Sequence, residues 1–140
     1  MTFEVFNPPE LGEPRGWNNG LVWRGQGDLL FVAGQTARAD SGVVETGDFV
    51  DQFAIALDRV LSVIRGAGGE ASSIGRLTIY VTDLAEYRRS LPRLGEAYRS
   101  RMGKHFPAMA LLEVGGLVDA GAQLEIEATA IVPRVDPSDP

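Results

Sequence analysis

The stretch DFVDQFAIALDRVLSVIRG, residues 48–66, decides how the rest of the chain is interpreted. Its apolar side chains recur at spacings of three and four and so fall on one helical face: Phe49, Phe53, Ala56, Leu57, Val60 and Ile64. Asp48 precedes this stripe, with Asp51 three residues later, and a glycine-rich segment, 66–69, follows it. These are typical start and stop signals. The pattern predicts an amphipathic helix that buries one face.

Strand patterns lie on both sides of this helix. Before it, two apolar runs, 20–23 and 29–33, are separated by turn residues and predict a hairpin. After it, residues 77–82 alternate between apolar and polar with many β-branched side chains. Two further strands are predicted at 108–114 and 123–132.

A second helical stripe begins at Leu84 and continues to Met102, but Pro92 interrupts it. We expect a short helical turn near Leu84 and a main helix capped by Ser90. The order β-β-α-β-α-β-β predicts an α+β fold, a mixed sheet with two helices on one face.

The fifth strand is apolar on both of its faces. Ala108, Ala110, Leu112 and Val114 suit the helix-covered side, which leaves Met109 and Leu111 on the opposite side. Because apolar side chains on an open sheet need cover, we expect a second copy of the chain to pack there.

Composition narrows the functional classes. With 140 residues and 44% apolar side chains, the sequence predicts a single domain over 1–132 and a disordered tail over 133–140. The absence of cysteine and the lone histidine argue against a metal site. The net charge of −6 disfavours nucleic acid as a partner. The sequence lacks a long apolar run, and we expect an unprocessed cytoplasmic protein that does not bind membranes.

Five motifs together resemble the RidA family, also called YjgF or endoribonuclease L-PSP. They extend from about Gly16 to Val132 and comprise Phe31-Val32-Ala33-Gly34-Gln35, a helix beginning near Gln52, Thr78-Ile79-Tyr80-Val81-Thr82-Asp83, Pro107-Ala108 and Leu124-Glu125-Ile126-Glu127-Ala128. The resemblance implies a chorismate-mutase-like fold. It also implies a homotrimer whose sheets line a central barrel, with three small-molecule pockets between neighbouring subunits.

Active members of that family hydrolyse imines and enamines, such as 2-iminopropanoate, to a ketoacid and ammonia without a cofactor. An arginine after Pro-Ala grips the substrate carboxylate, and a glutamate in the last strand activates water. The resemblance places the glutamate at Glu125 and the arginine at Met109, a thioether without a donor. Gly95 replaces a further asparagine. The chain thus resembles the arginine-lacking branches of the family. We expect a larger and less anionic ligand than 2-iminopropanoate.

The candidate site residues divide into two roles, mostly on the strength of this resemblance. The catalytic candidates are Glu125 and His105. The substrate-binding candidates are Trp17, Asn18, Ala33, Gly34, Gln35, Tyr98, Met109 and Leu111. If strand register permits, Glu125 shares a face with position 109. Simpler interpretations stay open: a structural acid at 125, a solvated loop histidine at 105, a turn at 34–35 and aromatic interface packing at 17 and 98.

Three functions remain in competition. The leading one is a hydrolase or deaminase of an imine, enamine or related reactive intermediate. The second is a trimeric metabolite-binding protein without chemistry. Endoribonuclease activity is third because of the acidic charge. The basic run over 88–104 has two interpretations. It attracts an anionic ligand or RNA, or it is simply a solvated helix face, which we favour.

Overall fold

The computed structural model describes residues 2–134. Most of the predicted disordered tail, 135–140, lies outside the described residues. The strands are β1 Glu4–Phe6, β2 Gly20–Val22, β3 Asp28–Gln35, β4 Ile74–Val81, β5 Ala108–Glu113 and β6 Leu124–Val132. The helices are α1 Phe49–Gly66, α2 Leu84–Arg89 and α3 Leu91–Met102. Short 3-10 turns occupy Pro9–Leu11 and Ala71–Ser73.

The main sheet has the strand order β3-β6-β4-β5. β6 is antiparallel to both of its neighbours, whereas β4 and β5 are parallel, so the sheet is mixed. α1 packs against β3, β6 and α3 and covers one face of the sheet. The predicted α+β class is therefore confirmed.

The predicted central helix is confirmed at both its start and its buried face. Asp48 caps α1, and its carboxylate accepts a hydrogen bond of 2.9 Å from the Asp51 amide. Leu57 is fully buried in the middle of the core, together with Leu77 of β4 and Ile126 of β6. The second helix also begins where Pro92 and Ser90 predicted, after the short α2.

The predicted hairpin between the first two apolar runs is wrong. β2 pairs with β1 in a separate two-stranded sheet, and β3 pairs instead with β6 along the main sheet. β2 is only three residues long, whereas β6 is nine residues long and strictly alternates between buried and half-buried side chains. The longer strand offers β3 more ladder hydrogen bonds and a buried partner for each of its core residues. A pairing between sequence-distant strands leaves no local pattern that would have predicted it.

The predicted facing of β5 is also wrong. Met109 pairs with Leu77 and Leu111 with Ile79, so both side chains lie on the helix-covered face. Ala110 and Leu112 lie on the opposite, open face. Because β5 is apolar on both faces, its own sequence does not say which face is inward, and only its register with β4 decides.

The open face of the sheet still carries exposed apolar side chains, but not the predicted ones. Phe31 is 74% exposed, Leu29 57% and Leu112 41%. We therefore expect a second copy of the chain to cover Phe31, Leu29 and Leu112, and not Met109 and Leu111. Among residues 2–134, no helix has the length and apolar character needed to cross a bilayer.

Candidate functional site

A cavity of about 470 Å³ lies on the helix side of the sheet, at the edge formed by β5. This volume is in the range of small-molecule pockets. Four of the candidate residues meet here, Trp17, Tyr98, Met109 and Leu111. The remaining lining residues are Arg15, Gly16, Phe53, Ile79, Tyr87, Leu91, Leu94, Gly95, Arg99 and Phe106.

The cavity wall next to Trp17 is held in place by Asn18. The Asn18 side-chain amide donates a hydrogen bond of 2.6 Å to the Phe106 carbonyl, and its main-chain amide donates one of 3.3 Å to the Pro107 carbonyl. These bonds tie the entry segment to the loop before β5. Asn18 therefore positions Trp17 instead of lining the cavity itself.

Tyr98 and Phe106 form a flat aromatic wall. Their rings are stacked with centroids 5.4 Å apart and an angle of 9° between the planes. The Tyr98 hydroxyl donates a hydrogen bond of 2.6 Å to the His105 carbonyl, and burial raises the pKa of Tyr98. Tyr98 thus offers a ligand its ring, while its proton is already engaged with the main chain.

The side chain of His105 turns away from this wall. Its Nε2 lies 2.7 Å from the Ile74 carbonyl, and its ring stacks on Phe3 with centroids 6.4 Å apart. His105 is not among the residues that line the cavity. The imidazole therefore has structural partners, the Ile74 carbonyl and the Phe3 ring.

Glu125 does not face position 109 within one chain, contrary to the expectation from strand alternation. Glu125 pairs with Tyr80 and lies on the open face, whereas Met109 lies on the helix-covered face. The Glu125 side chain packs directly over Gly34, where an added β-carbon would be 2.7 Å from its Cδ. Glycine is therefore needed at position 34 because the Glu125 carboxylate approaches the main chain closely there. The sequence had instead predicted Gly34 as a substrate-binding residue.

Of the other β3 candidates, Ala33 lies on the open face, whereas Gln35 pairs with the buried Ile126 and lies on the side covered by α1. Ala33 lines a second hollow of about 410 Å³ together with Phe31 and Glu127. The Gln35 amide donates to the Ala33 carbonyl at 3.1 Å and accepts from Arg59 at 3.2 Å, so its polar atoms are already paired. Four candidates thus line the cavity, namely Trp17, Tyr98, Met109 and Leu111, whereas Glu125, Ala33 and Gly34 lie on the open face of the sheet. Asn18, His105 and Gln35 belong to neither group.

Glu127 has a clear partner on the open face. The Tyr80 hydroxyl donates a hydrogen bond of 2.6 Å to its carboxylate, and this bond, followed by burial and the nearby negative charges, raises the pKa of Tyr80. Among residues 2–134, no donor hydrogen-bonds the Glu125 carboxylate. Glu125 is therefore the freer of the two acids on this face.

Two arginines at the cavity were not predicted from the sequence. Arg15 and Arg99 both line the cavity, although Arg99 had been interpreted as one member of a solvated basic run. The signal available in the sequence was the spacing of four between Gly95 and Arg99, which places both on one helix face. The lining of the cavity thus contains two cations and no carboxylate.

The fold and the cavity define a class of protein, an α+β domain with a mixed sheet, helices on one face and a cavity of small-molecule size. Within residues 2–134, no cluster of three or more metal-ligating side chains accompanies the cavity. The model of the endoribonuclease L-PSP family matches residues 15–132. The chain belongs to this family, the RidA or YjgF family.

Relatives of known name and structure agree with this assignment. The chain is 32% identical to RutC family protein y4sK of Sinorhizobium fredii over 103 residues, 73% of this chain and 78% of that protein. It is 25% identical to the human 2-iminobutanoate/2-iminopropanoate deaminase over 103 residues, 73% and 72% of the two chains. The crystal structure of the Rid-family protein YyfB from Yersinia pestis superimposes with a TM-score of 0.77 and 27% identity, covering 94% of this chain and 100% of that one.

Proposed function

We propose that the protein is a cofactor-independent hydrolase of an imine or enamine, and that it acts as a homotrimer. The observation that carries the proposal is that Met109, at the family's substrate-gripping position, lines a ligand-sized cavity. The human relative is named a deaminase of 2-imino acids, which supports the reaction type. The substrate of this chain differs, because a thioether cannot replace the charged fork of an arginine.

The chemistry needs one base and one water molecule. Glu125 accepts a proton from water as the oxygen adds to the C=N carbon, and the proton passes to the nitrogen to give a carbinolamine. Glu125 then transfers the hydroxyl proton of the carbinolamine to its amino group, and cleavage of the C–N bond releases ammonia as the C=O bond of the product forms. A carboxylate without hydrogen-bond donors, such as Glu125, is suited to this proton transfer.

The separation of Glu125 and Met109 by the sheet favours assembly. Since they lie on opposite faces of one chain, a neighbouring copy must bring its Glu125 to the cavity for both to contact one ligand. The exposed Phe31, Leu29 and Leu112 supply an apolar surface for such packing.

The oligomeric state tests this assembly. Light scattering should give three times the chain mass. Phe31→Glu should reduce that mass, whereas Val118→Glu, at a fully exposed position, should not. A monomeric wild type at micromolar concentration contradicts the proposal.

The activity test uses imines produced in situ by an amino-acid oxidase from alanine, leucine or phenylalanine. We expect the protein to accelerate ketoacid formation from the two larger imines and to leave 2-iminopropanoate near its spontaneous rate. Glu125→Gln should abolish the acceleration, and the matched Glu127→Gln should retain it. Acceleration that survives Glu125→Gln, or none with any imine, contradicts the proposal.

A second variant tests the role of position 109. Met109→Arg restores the family's guanidinium and should tighten binding of pyruvate, a stable analogue of the small substrate, by roughly ten- to a hundredfold. Calorimetry on the assembled protein measures this change. An unchanged pyruvate affinity means that position 109 does not contact the ligand.

A non-catalytic binding function is the second candidate. It is favoured by one observation, that the described residues lining the cavity of a single chain include no carboxylate. Micromolar binding of a ligand without any turnover of its imine, in the assembled protein, distinguishes this function from hydrolysis.

A further inference from the structure

We propose that the cavity binds a monocarboxylate with an aromatic or branched apolar body, and that Arg99 holds the carboxylate in place of the absent arginine at 109. This inference rests on the proposed function only in taking the cavity as the ligand site. It adds the class of ligand and the residue that anchors it.

The charge around the cavity indicates an anion. Arg15 and Arg99 are the charged side chains of its lining, and neither forms an ion pair within residues 2–134. Other arginines of the same basic run are paired, namely Arg89 with Glu86 at 2.6 Å, Arg93 with Asp48 at 3.0 Å and Arg101 with Asp58 at 2.7 Å. The positive charge at the cavity thus remains available for a ligand.

Gly95 explains why Arg99 can lie at the cavity. A β-carbon at 95 would be 3.0 Å from Nη1 of Arg99 and 3.6 Å from its Cζ, so the guanidinium lies against the bare helix backbone. Glycine inside a helix such as α3 costs stability relative to alanine. Here it leaves room for a guanidinium one turn later on the same face.

The rest of the lining requires an apolar body. Trp17, Tyr87, Tyr98 and Phe106 surround the cavity with aromatic rings, and Met109 and Leu111 form its floor on β5. The Tyr98 hydroxyl is engaged with the His105 carbonyl and leaves only a ring for contact. A ligand as small as pyruvate fills little of a cavity of about 470 Å³, whereas a phenyl or branched alkyl group matches both its size and its apolar wall.

The test measures binding to the full-length assembled protein by calorimetry with three probes. Phenylpyruvate carries both the ring and the carboxylate, phenylacetone carries the ring alone, and pyruvate carries the carboxylate with a small body. We expect the wild type to bind phenylpyruvate at least about tenfold more tightly than either of the others, a difference of about 1.4 kcal/mol.

Variants assign the anchor. Arg99→Gln should weaken the binding of phenylpyruvate about tenfold. The same variant should bind phenylacetone with unchanged affinity, because phenylacetone has no carboxylate. The matched control Arg88→Gln removes an exposed arginine of the same run that does not line the cavity and should change neither. Equal melting temperatures of the variants establish that the fold is intact.

The outcomes separate the inference from the proposed function. If Arg99→Gln leaves phenylpyruvate affinity unchanged, or only Arg15→Gln lowers it, Arg99 is not the anchor. If pyruvate binds as tightly as phenylpyruvate, the apolar body is not selected. If neither phenylpyruvate nor phenylacetone binds the wild type, the cavity is not a ligand site, and the proposed function fails with it.

Discussion

Replacing Leu57 with alanine tests the core of the fold most directly. Leu57 is at 0% exposure, on the helix α1 that packs against β3, β6 and α3. The substitution removes three buried carbon groups, a transfer loss of about 2.5 kcal/mol. The rigid elements on all sides limit collapse of the space left behind, which adds about 1 to 2 kcal/mol. We expect the free energy of unfolding to fall by about 3 to 4 kcal/mol.

Ile55→Ala on the same helix is the matched control. It removes the same number of carbon atoms from a side chain that is 38% exposed, and alanine improves the helix propensity. Its expected cost is therefore about 1 kcal/mol or less. Urea unfolding followed by circular dichroism measures both, at equal protein concentration because the proposed assembly would make stability concentration-dependent. For a chain of this length the Leu57 variant should melt roughly 10 °C lower. If the two substitutions lower the free energy of unfolding by the same amount within error, the assignment of the buried face of α1 is refuted.

Three further predictions concern single contacts. Gly34→Ala places a β-carbon 2.7 Å from Cδ of Glu125 and so displaces this carboxylate. The rate of imine hydrolysis should fall about ten- to a hundredfold while the urea midpoint is nearly unchanged. Undiminished hydrolysis contradicts this prediction. Gly95→Ala should stabilise the protein by about 0.5 to 1 kcal/mol in the same urea assay, because it fills a helix-interior glycine. The pKa of Tyr80 is raised in the folded state, so the neutral phenol stabilises the fold. This stabilisation is complete below about pH 10, the pKa of an unfolded tyrosine, and is lost as the pH rises through the pKa of Tyr80 in the folded protein. Glu127→Gln should lower the pH at which the Tyr80 phenol ionises. The ultraviolet absorbance of Tyr80 during an alkaline titration, obtained by subtracting the Tyr80→Phe variant, measures this midpoint. An unchanged midpoint argues against the hydrogen bond from Tyr80 to Glu127.

The helices were predictable because their signals are local. The cap at Asp48, the apolar stripe through Leu57 and the break at Pro92 each act within a few residues of where they appear. Helical hydrogen bonds connect residues four apart, and the pattern that determines them is contained in the same short window. The bounds of α1 and α3 in the structure therefore agree with the sequence patterns.

The strand partners and facings were not predictable in the same way. β3 pairs with β6, about a hundred residues further along the chain, and nothing in the turn at 24–28 indicates this. The apolar character of β5 on both faces left its inward side undecided. A shift of one residue in register exchanges the two faces, and this is why Met109 and Leu111 proved to lie beneath the helices.

Local periodicity and short motifs were enough to predict the fold class, the helices and the family. The places where the candidate residues meet depend on the tertiary structure. It placed Met109 in a cavity and Glu125 on the other side of the sheet, and it placed the helix face that carries Gly95 and Arg99 at the cavity wall. Side-chain facing in a sheet depends on register between distant segments, and a cavity depends on the packing of several elements at once. Neither property is present in any single stretch of the chain.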